Sequence, residues 1–374
     1  MAGIYIHIPF CKQRCSYCDF HFSTQLGYQN RMMNAIASEI NLRRDWHGKE
    51  VETIYFGGGT PSLLSADKLA YLLKDIRTNF RVKDDAEITL EANPDDINID
   101  YLNELFAIGI NRLSLGIQSF AQNDLHVMNR AHDVDQAKKA LESIRNSKFS
   151  NYSADLIYGN ILSDDAQWIE NIEIMLSYNV PHISAYALTV EPKTRLAYHI
   201  KTGKWPEVDE DKQHEQFLIL CDKLAKAGYE QYEISNYALP GFRSRHNSAY
   251  WQRKEYIGYG PAAHSYSDKK RSWNIRNNAL YMKSIERGER AFEDEELSRI
   301  DIFNEMIMTG LRLKEGVKIS DLMNYLPQEY SKEWLRSVEE LEAESKIEMN
   351  NGRIKLTAQA LFFADGISAK LFIV

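Results

Sequence analysis

The chain has 374 residues, 44% of them hydrophobic and 26% charged, which suits one large domain plus a smaller one and excludes a disordered chain. A formal net charge of -8 speaks against a protein built to hold nucleic-acid backbones, so no nucleic-acid partner is expected. No apolar run reaches the length of a membrane span and the first residues read as a strand, so the expected location is the cytoplasm, where thiols stay reduced.

In chain order, apolar β-rich runs alternate with amphipathic stretches. The runs are GIYIHIPF, VETIYFGGG, AEITLEANP, RLSLGIQS, YSADLIYG and HISAYALTV, beginning near residues 3, 51, 86, 112, 152 and 182. Between them, RMMNAIASEINLRRDW, SADKLAYLLKDIRTNF and VDQAKKALESIRN repeat apolar residues at three and four positions, the helical period. Strands apolar on both faces and joined by helices predict a parallel sheet, an α/β fold that forms an open or complete barrel. A further helix pattern, DEDKQHEQFLILCDKLAKAG, ends at Gly228, a residue suited to the left-handed position after a helix. From about residue 236 to 275 the text is aromatic and irregular, and from about residue 296 it is helical and closes in IEMNNGRIKLT, a hairpin pattern about Asn351 and Gly352. Two units are therefore expected, residues 1–235 and a smaller, mixed, mainly helical 236–374. The acidic FEDEE at 292–296 reads as a solvated boundary, and Cys221 as a small hydrophobe on a helix face.

Cys11, Cys15 and Cys18 follow C-x3-C-x2-C on the loop after the first strand pattern, where parallel α/β folds place ligand sites. Three thiolates can hold three irons of a 4Fe-4S cluster and leave the fourth iron open. The alternative is a structural zinc, with His7 or His21 completing a tetrahedral set. One βα unit later, GGGTPS closes the second strand, and Gly57, Gly58 and Gly59 there either let the backbone approach a ligand or simply make a tight turn.

With these residues in view, the chain resembles over nearly its whole length the radical S-adenosylmethionine (SAM) proteins, in the branch of oxygen-independent coproporphyrinogen III dehydrogenases and HemW heme chaperones. The resemblance implies a partial (β/α)6 barrel, a 4Fe-4S cluster on Cys11, Cys15 and Cys18, and SAM chelated through its methionyl group to the unique iron. It implies a SAM site of Tyr5, Tyr17, Gly58, Gly59, Thr60, Glu91, Gln118, Arg130 and Asp155. Glu91, Gln118 and Asp155 then fall at strand ends, where polar side chains reach a barrel cavity; taken singly, Glu91 is equally a helix-cap acceptor and Arg130 a surface helix residue. The chain departs from the family after the fifth strand, where YGNILSDDAQW replaces a usual Pro-Gly turn, so loop contacts beyond Asp155 are not carried over.

Two features divide the branches. The dehydrogenases usually place another cysteine two residues after the third, where this sequence has Phe20, and they carry an N-terminal extension, whereas this sequence starts two residues before its first strand pattern. Both point toward HemW. RHNSAYWQRKEYIGYGPAAHSY contains HNxxYW as His246, Asn247, Tyr250 and Trp251, the heme motif of that group. A neutral imidazole can ligate heme iron and neighbouring aromatics match a flat porphyrin, although the same residues also suit ordinary packing between domains, and His264 is a competing ligand. The expected function is a heme chaperone that binds the cluster, SAM and heme. Its expected partners are a heme-accepting apo-protein, with a respiratory enzyme at the inner face of the membrane as one candidate, an electron donor for the cluster, and a second copy in a homodimer. The alternatives are a dehydrogenase that oxidatively decarboxylates porphyrinogen propionates and a zinc-stabilised binding module.

Overall fold

The computed structural model describes residues 2–45, 49–267 and 269–374; Trp46, the last residue of the first expected helix pattern, lies outside them. Strands β1 (Ala2–Ile8), β2 (Val51–Gly58), β3 (Val82–Ala92), β4 (Arg112–Gln118), β5 (Tyr152–Tyr158) and β6 (His182–Ala187) stand side by side in chain order, every neighbouring pair parallel. Helices α1 (Gln29–Leu42), α2 (Ala66–Asn79), α3 (Ile99–Ala107), α4 (Gln122–Val127), α5 (Val134–Arg145) and α6 (Asp165–Ser177) make the crossovers. The chain is thus an α/β protein built on six βα units. Alternate strand residues divide the labour. Ile4, Ile6, Ile54, Phe56, Ile88, Leu90, Leu113 and Leu115 are fully buried in the main apolar core, while the residues between them, such as Tyr5, Thr53, Tyr55, Glu87, Thr89 and Ser114, bring polar groups to the inner face.

Helices α7 (Arg195–Lys201) and α8 (Glu210–Lys226) follow β6, and Gly228 takes φ +85° just past α8, as its position predicts. Strands β7 (Glu230–Glu233) and β8 (Asn236–Ala238) extend the β6 edge in antiparallel fashion. The chain then crosses to the other edge. Helix α9 (Arg245–Trp251) leads into β9 (Glu255–Tyr259), which pairs parallel with β1, and β10 (His264–Ser267) and β11 (Lys270–Asn274) follow antiparallel. After α10 (Asn278–Glu286), β12 (Phe292–Glu296) completes a single sheet of 12 strands. The aromatic, irregular-looking segment is therefore strand-forming, and the expected division at residue 235 falls within this sheet, between β7 and β8. FEDEE is solvated as expected, but as the edge strand β12, whose charges discourage pairing with another sheet edge.

A second apolar core forms from Phe303 of α11 (Arg299–Arg312) onward, around Ile307, Trp334, Val338 and Ile354. It includes a small sheet of β13 (Val317–Lys318), β14 (Ile347–Asn350) and β15 (Arg353–Leu356). Asn351 and Gly352 join β14 to β15 with φ +49° and +72°, the left-handed pair that a two-residue hairpin turn requires.

One buried charge fastens the β9–β12 extension to the barrel. Glu39 of α1 is 0% exposed, and its carboxylate accepts hydrogen bonds from Arg43 Nη1 at 2.9 Å, Asn274 Nδ2 at 2.8 Å, the Tyr281 hydroxyl at 2.7 Å and the Gly260 N–H at 2.9 Å. Removing one partner of such a network leaves the rest uncompensated, so Glu39→Ala is expected to destabilise the protein by about 3–5 kcal/mol. Calorimetric unfolding should show this as a lowered transition, with Glu39→Gln between the two.

Candidate functional site

The cysteine loop leaves β1 at the C-terminal end of the parallel sheet and is tied down along its length. Cys11 N–H donates to the Ser23 carbonyl at 3.1 Å and Ser23 N–H to the Pro9 carbonyl at 2.9 Å, which closes the loop on itself. Ser16 N–H donates to the Met128 carbonyl at 2.9 Å, and Leu196 N–H to the Ser16 carbonyl at 2.8 Å, so the chain after α4 and helix α7 hold its middle. Cys11, Cys15 and Cys18 are half-buried free thiols. Thr60 Oγ1 donates to Cys11 Sγ at 3.6 Å and Arg130 Nη1 to Cys15 Sγ at 3.4 Å. Burial pushes the Cys11 thiol up to about 12 and also raises Cys18, so thiolates here need positive charge, which Arg130 supplies in part and a metal centre would complete.

The two histidines offered as zinc ligands are otherwise engaged. His7 Nε2 donates to the His21 carbonyl at 2.8 Å while its Nδ1 faces the Tyr5 hydroxyl at 3.2 Å; His21 Nε2 contacts Asn278 Oδ1 at 2.7 Å. Among the described residues no three His, Cys, Asp or Glu side chains converge where one ion could sit. A cubane does not ask for that, since each thiolate takes its own iron. The donor set fits the cluster better than the closed zinc site.

Beside this loop, the glycine turn ends β2. A Cβ on Gly59 would stand 2.5 Å from the Phe10 carbonyl oxygen, and one on Gly58, at φ +108°, 2.5 Å from the His7 ring. Gly59 is therefore required by the seating of the cysteine loop, and Gly58 by the His7 ring of β1. Gly58 N–H donates to Glu91 Oε2 at 3.1 Å, and the Tyr55 hydroxyl to Glu91 Oε1 at 2.8 Å. Arg130 is not a surface helix residue: Nη2 donates to Asn93 Oδ1 at 2.6 Å and to the Gly116 carbonyl at 2.8 Å, beneath the cysteines. Asn93 Nδ2 in turn donates to Thr60 Oγ1 at 3.2 Å. Gln118 ends β4 at a bulge with φ +72°, and Tyr17 packs beside the apolar cluster of Leu125, Met128, Ile157, Leu188 and Leu196. Asp155 is mid-strand in β5, deeper than the strand end expected for it. Burial raises Glu91 to about 7 and Asp155 to about 6.

The HNxxYW helix lies at the other end of the barrel. Glu87 accepts the Arg245 and His246 N–H groups, each at 3.0 Å, and places α9 against Gly3 of β1, Thr53 of β2 and the middle of β3. His246 is 1% exposed, with Nδ1 at 2.8 Å from Thr53 Oγ1, Nε2 at 2.9 Å from the Tyr250 hydroxyl, and its ring stacked 4.9 Å from that of Tyr55. Burial, helped by the Arg112 charge, lowers it to about 3 and keeps the imidazole neutral. Trp251 lies under the Arg312 guanidinium at 4.8 Å, and Asn247 N–H is capped by Ser244 Oγ at 3.2 Å. The motif does not meet the cysteines, and His246 does not reach an opening. His264, by contrast, is exposed on β10. Sequence reading missed Tyr55 and Asn93; the alternation Thr53, Tyr55, Gly57 was the available signal for the first, and its place directly after β3 for the second.

A three-cysteine loop after the first strand, a glycine turn after the second and a polar inner face define a radical SAM protein, and the Radical SAM superfamily profile matches residues 5–173, with the HemN C-terminal domain at 297–363. The chain is 32% identical over 371 residues to the heme chaperone HemW of Mycobacterium tuberculosis, covering 98% of this chain and 93% of that one. It is 32% identical over 370 residues to the heme chaperone HemW of Lactococcus lactis, covering 99% and 97%, and 34% over 331 residues to that of Haemophilus influenzae, covering 86% and 85%. The chain belongs to the HemW family. The solved coproporphyrinogen III oxidase HemN of Escherichia coli, a radical SAM enzyme, shares the fold, with a TM-score of 0.86 over 99% of this chain and 90% of that one at 22% identity. Membership of the superfamily implies a 4Fe-4S cluster and SAM. No helix among the described residues is long and apolar enough to cross a membrane.

If Glu91 receives a cationic group of SAM, its ionised form is the binding one. Because burial sets its titration at about 7, affinity should rise by about tenfold from pH ~6 to ~8. Isothermal titration of the reconstituted protein should show that rise, and Glu91→Gln should weaken binding and flatten the profile. A sloped profile in Glu91→Gln would assign the proton to another group.

Proposed function

We propose that this protein is a heme chaperone on a radical SAM scaffold, which binds heme and hands it to an acceptor apo-protein. The carrying observation is its 32% identity to a heme chaperone HemW in an alignment that covers 98% of this chain, barrel and C-terminal part together. Cys11, Cys15 and Cys18 hold the 4Fe-4S cluster; Tyr5, Tyr17, Gly58, Gly59, Thr60, Glu91, Gln118, Arg130 and Asp155 form the SAM site. When bound, the cluster offers an open iron to the methionyl group of SAM and a single electron from a redox partner. Around it, Arg130 and Thr60 stabilise the sulfurs, and Asn93 fixes both donors. Phe20, where a further cysteine would favour the dehydrogenase reading, is 72% exposed beside the loop. His246, Asn247, Tyr250 and Trp251 form the motif assigned to heme by family; for His246 to ligate iron it must leave Thr53 or Tyr250. The acceptor is a heme-requiring apo-protein, and one anchored at the inner membrane face would draw the chaperone there, singly or as a homodimer.

Two measurements test this reading. Replacement of Cys11, Cys15 or Cys18 by Ala should each abolish stable cluster incorporation in iron and sulfide analysis, while Cys221→Ala, whose thiol packs against Tyr237 and Gln231, should retain it. Anaerobically reconstituted protein should bind hemin and pass it to an apo-cytochrome, and should form no protoporphyrinogen IX from coproporphyrinogen III. Conversion of coproporphyrinogen III with SAM consumption, and no heme binding, would replace the chaperone reading with the dehydrogenase.

A further inference from the structure

Each sulfur of the cysteine loop receives a hydrogen-bond donor. Cys11 Sγ takes the Thr60 hydroxyl at 3.6 Å, Cys15 Sγ takes Arg130 Nη1 at 3.4 Å, and Cys18 Sγ takes the Phe20 N–H. The first two donors come from separate segments, the turn after β2 and the loop after α4, and one side chain joins them. Arg130 Nη2 donates to Asn93 Oδ1 at 2.6 Å, and Asn93 Nδ2 donates to Thr60 Oγ1 at 3.2 Å.

Local structure does not account for Asn93. It stands directly after β3 and before Pro94, at the start of a single helical turn over Pro94–Asp96, where an asparagine side chain commonly caps the following N–H groups. Its side chain makes no such bond. Its own N–H donates to Ser62 Oγ at 3.2 Å, and the Ser62 hydroxyl donates to Asp96 Oδ2 at 2.6 Å. The backbone of Asn93 is thus held from the turn after β2, and its amide serves the two sulfur donors.

The direction of these bonds follows from the groups that make them. A guanidinium only donates, so the amide atom that meets Arg130 is the oxygen, and the NH2 is left for Thr60. Thr60 Oγ1 accepts from that NH2, and its single proton goes to Cys11. A carboxylate at position 93 would undo this: it has no proton to give, and it would draw the Thr60 proton off the sulfur. A donor on a cluster sulfur steadies the negative charge that arrives when the cluster takes up one electron, and so raises its reduction potential.

We propose that Asn93 is a positioning residue for electron uptake: by holding Arg130 on Cys15 and turning the Thr60 proton onto Cys11, its amide raises the reduction potential of the 4Fe-4S cluster. The inference rests on the assignment of the cluster to Cys11, Cys15 and Cys18 above.

The full chain carrying its cluster, without SAM, is titrated with dithionite as the one-electron donor and followed by the EPR signal of the reduced cluster. Asn93→Asp keeps the size of the side chain and an acceptor for Arg130, and its midpoint should fall by about 59 mV or more, a roughly tenfold loss in the one-electron equilibrium. Thr60→Val, which keeps the shape and removes the hydroxyl, should also lower the midpoint. The two should not add. A new carboxylate acts by its charge in either background, but with no hydroxyl to turn, Asn93→Asp should shift the Thr60→Val protein less than it shifts wild type. Equal shifts in the two backgrounds, or a wild-type midpoint in Asn93→Asp, overturn the inference. Where Asn93→Asp holds less iron and sulfide than wild type, Asn93→Ala carries the same comparison in the same two backgrounds, and the same two outcomes overturn it. Wild-type protein that takes up no four-iron cluster overturns the cluster assignment itself.

Discussion

The carboxylate of Glu39 holds together what the backbone alone would leave loosely joined. The β9–β12 extension meets the barrel through one parallel ladder, Ala2–Ile6 against Glu255–Tyr259, and parallel pairing by itself is weak. Glu39 reaches from α1 to the end of β11 at Asn274, to α10 at Tyr281 and to the turn at Gly260. That turn is then pressed onto β1: Gly260, at φ +100°, leaves no room for a Cβ beside the His7 carbonyl. A buried ion earns its place only when every lone pair finds a donor, and here Arg43, Asn274, Tyr281 and a backbone N–H provide them. The result is a join in which α1, the Gly260 turn, the end of β11 and α10 share one buried carboxylate.

The six barrel strands were legible because burial on both faces writes them as continuous apolar runs, bounded by helical periodicity. The extension was not, because its strands are half-exposed and its defining contact, β9 on β1, joins residues some 250 positions apart that no local pattern connects. FEDEE shows the same blindness: five exposed residues carry no alternation, and only pairing with Lys270–Asn274 makes them a strand. In the candidate site, cysteine spacing and glycine run were informative because backbone reach and loop length limit what such residues can do. Arg130 could be placed only in space, since its partners Asn93, Gly116 and Cys15 come from three different segments.

His246 marks where residue type and environment part company. His, Tyr and Trp in HNSAYW have the chemistry of a heme site, and nothing in that string tells whether the imidazole looks outward or in. Its burial is decided elsewhere, by Thr53 and Tyr55 on β2 and by the Glu87 carboxylate that draws the start of α9 under the barrel.

Once inside, the motif becomes the foot of a column through the barrel. The His246 ring stacks on Tyr55, whose hydroxyl donates to Glu91, whose other oxygen receives the Gly58 N–H; the His7 ring occupies the place a Gly58 side chain would take, and His7 is held by the His21 carbonyl at the cysteine loop. His246, Tyr55 and His7 are buried, and Glu91 and Gly58 are half-buried. Breaking one of the hydrogen bonds in this series leaves a polar group short of a partner, at a cost of about 1–3 kcal/mol where it is kept from water. Each therefore constrains the next, and the height of the Tyr55 ring over His246 helps set where the glycine turn meets the cysteine loop. With both ring nitrogens hydrogen-bonded, to Thr53 and Tyr250, His246 fixes the end of the barrel opposite the cysteine loop.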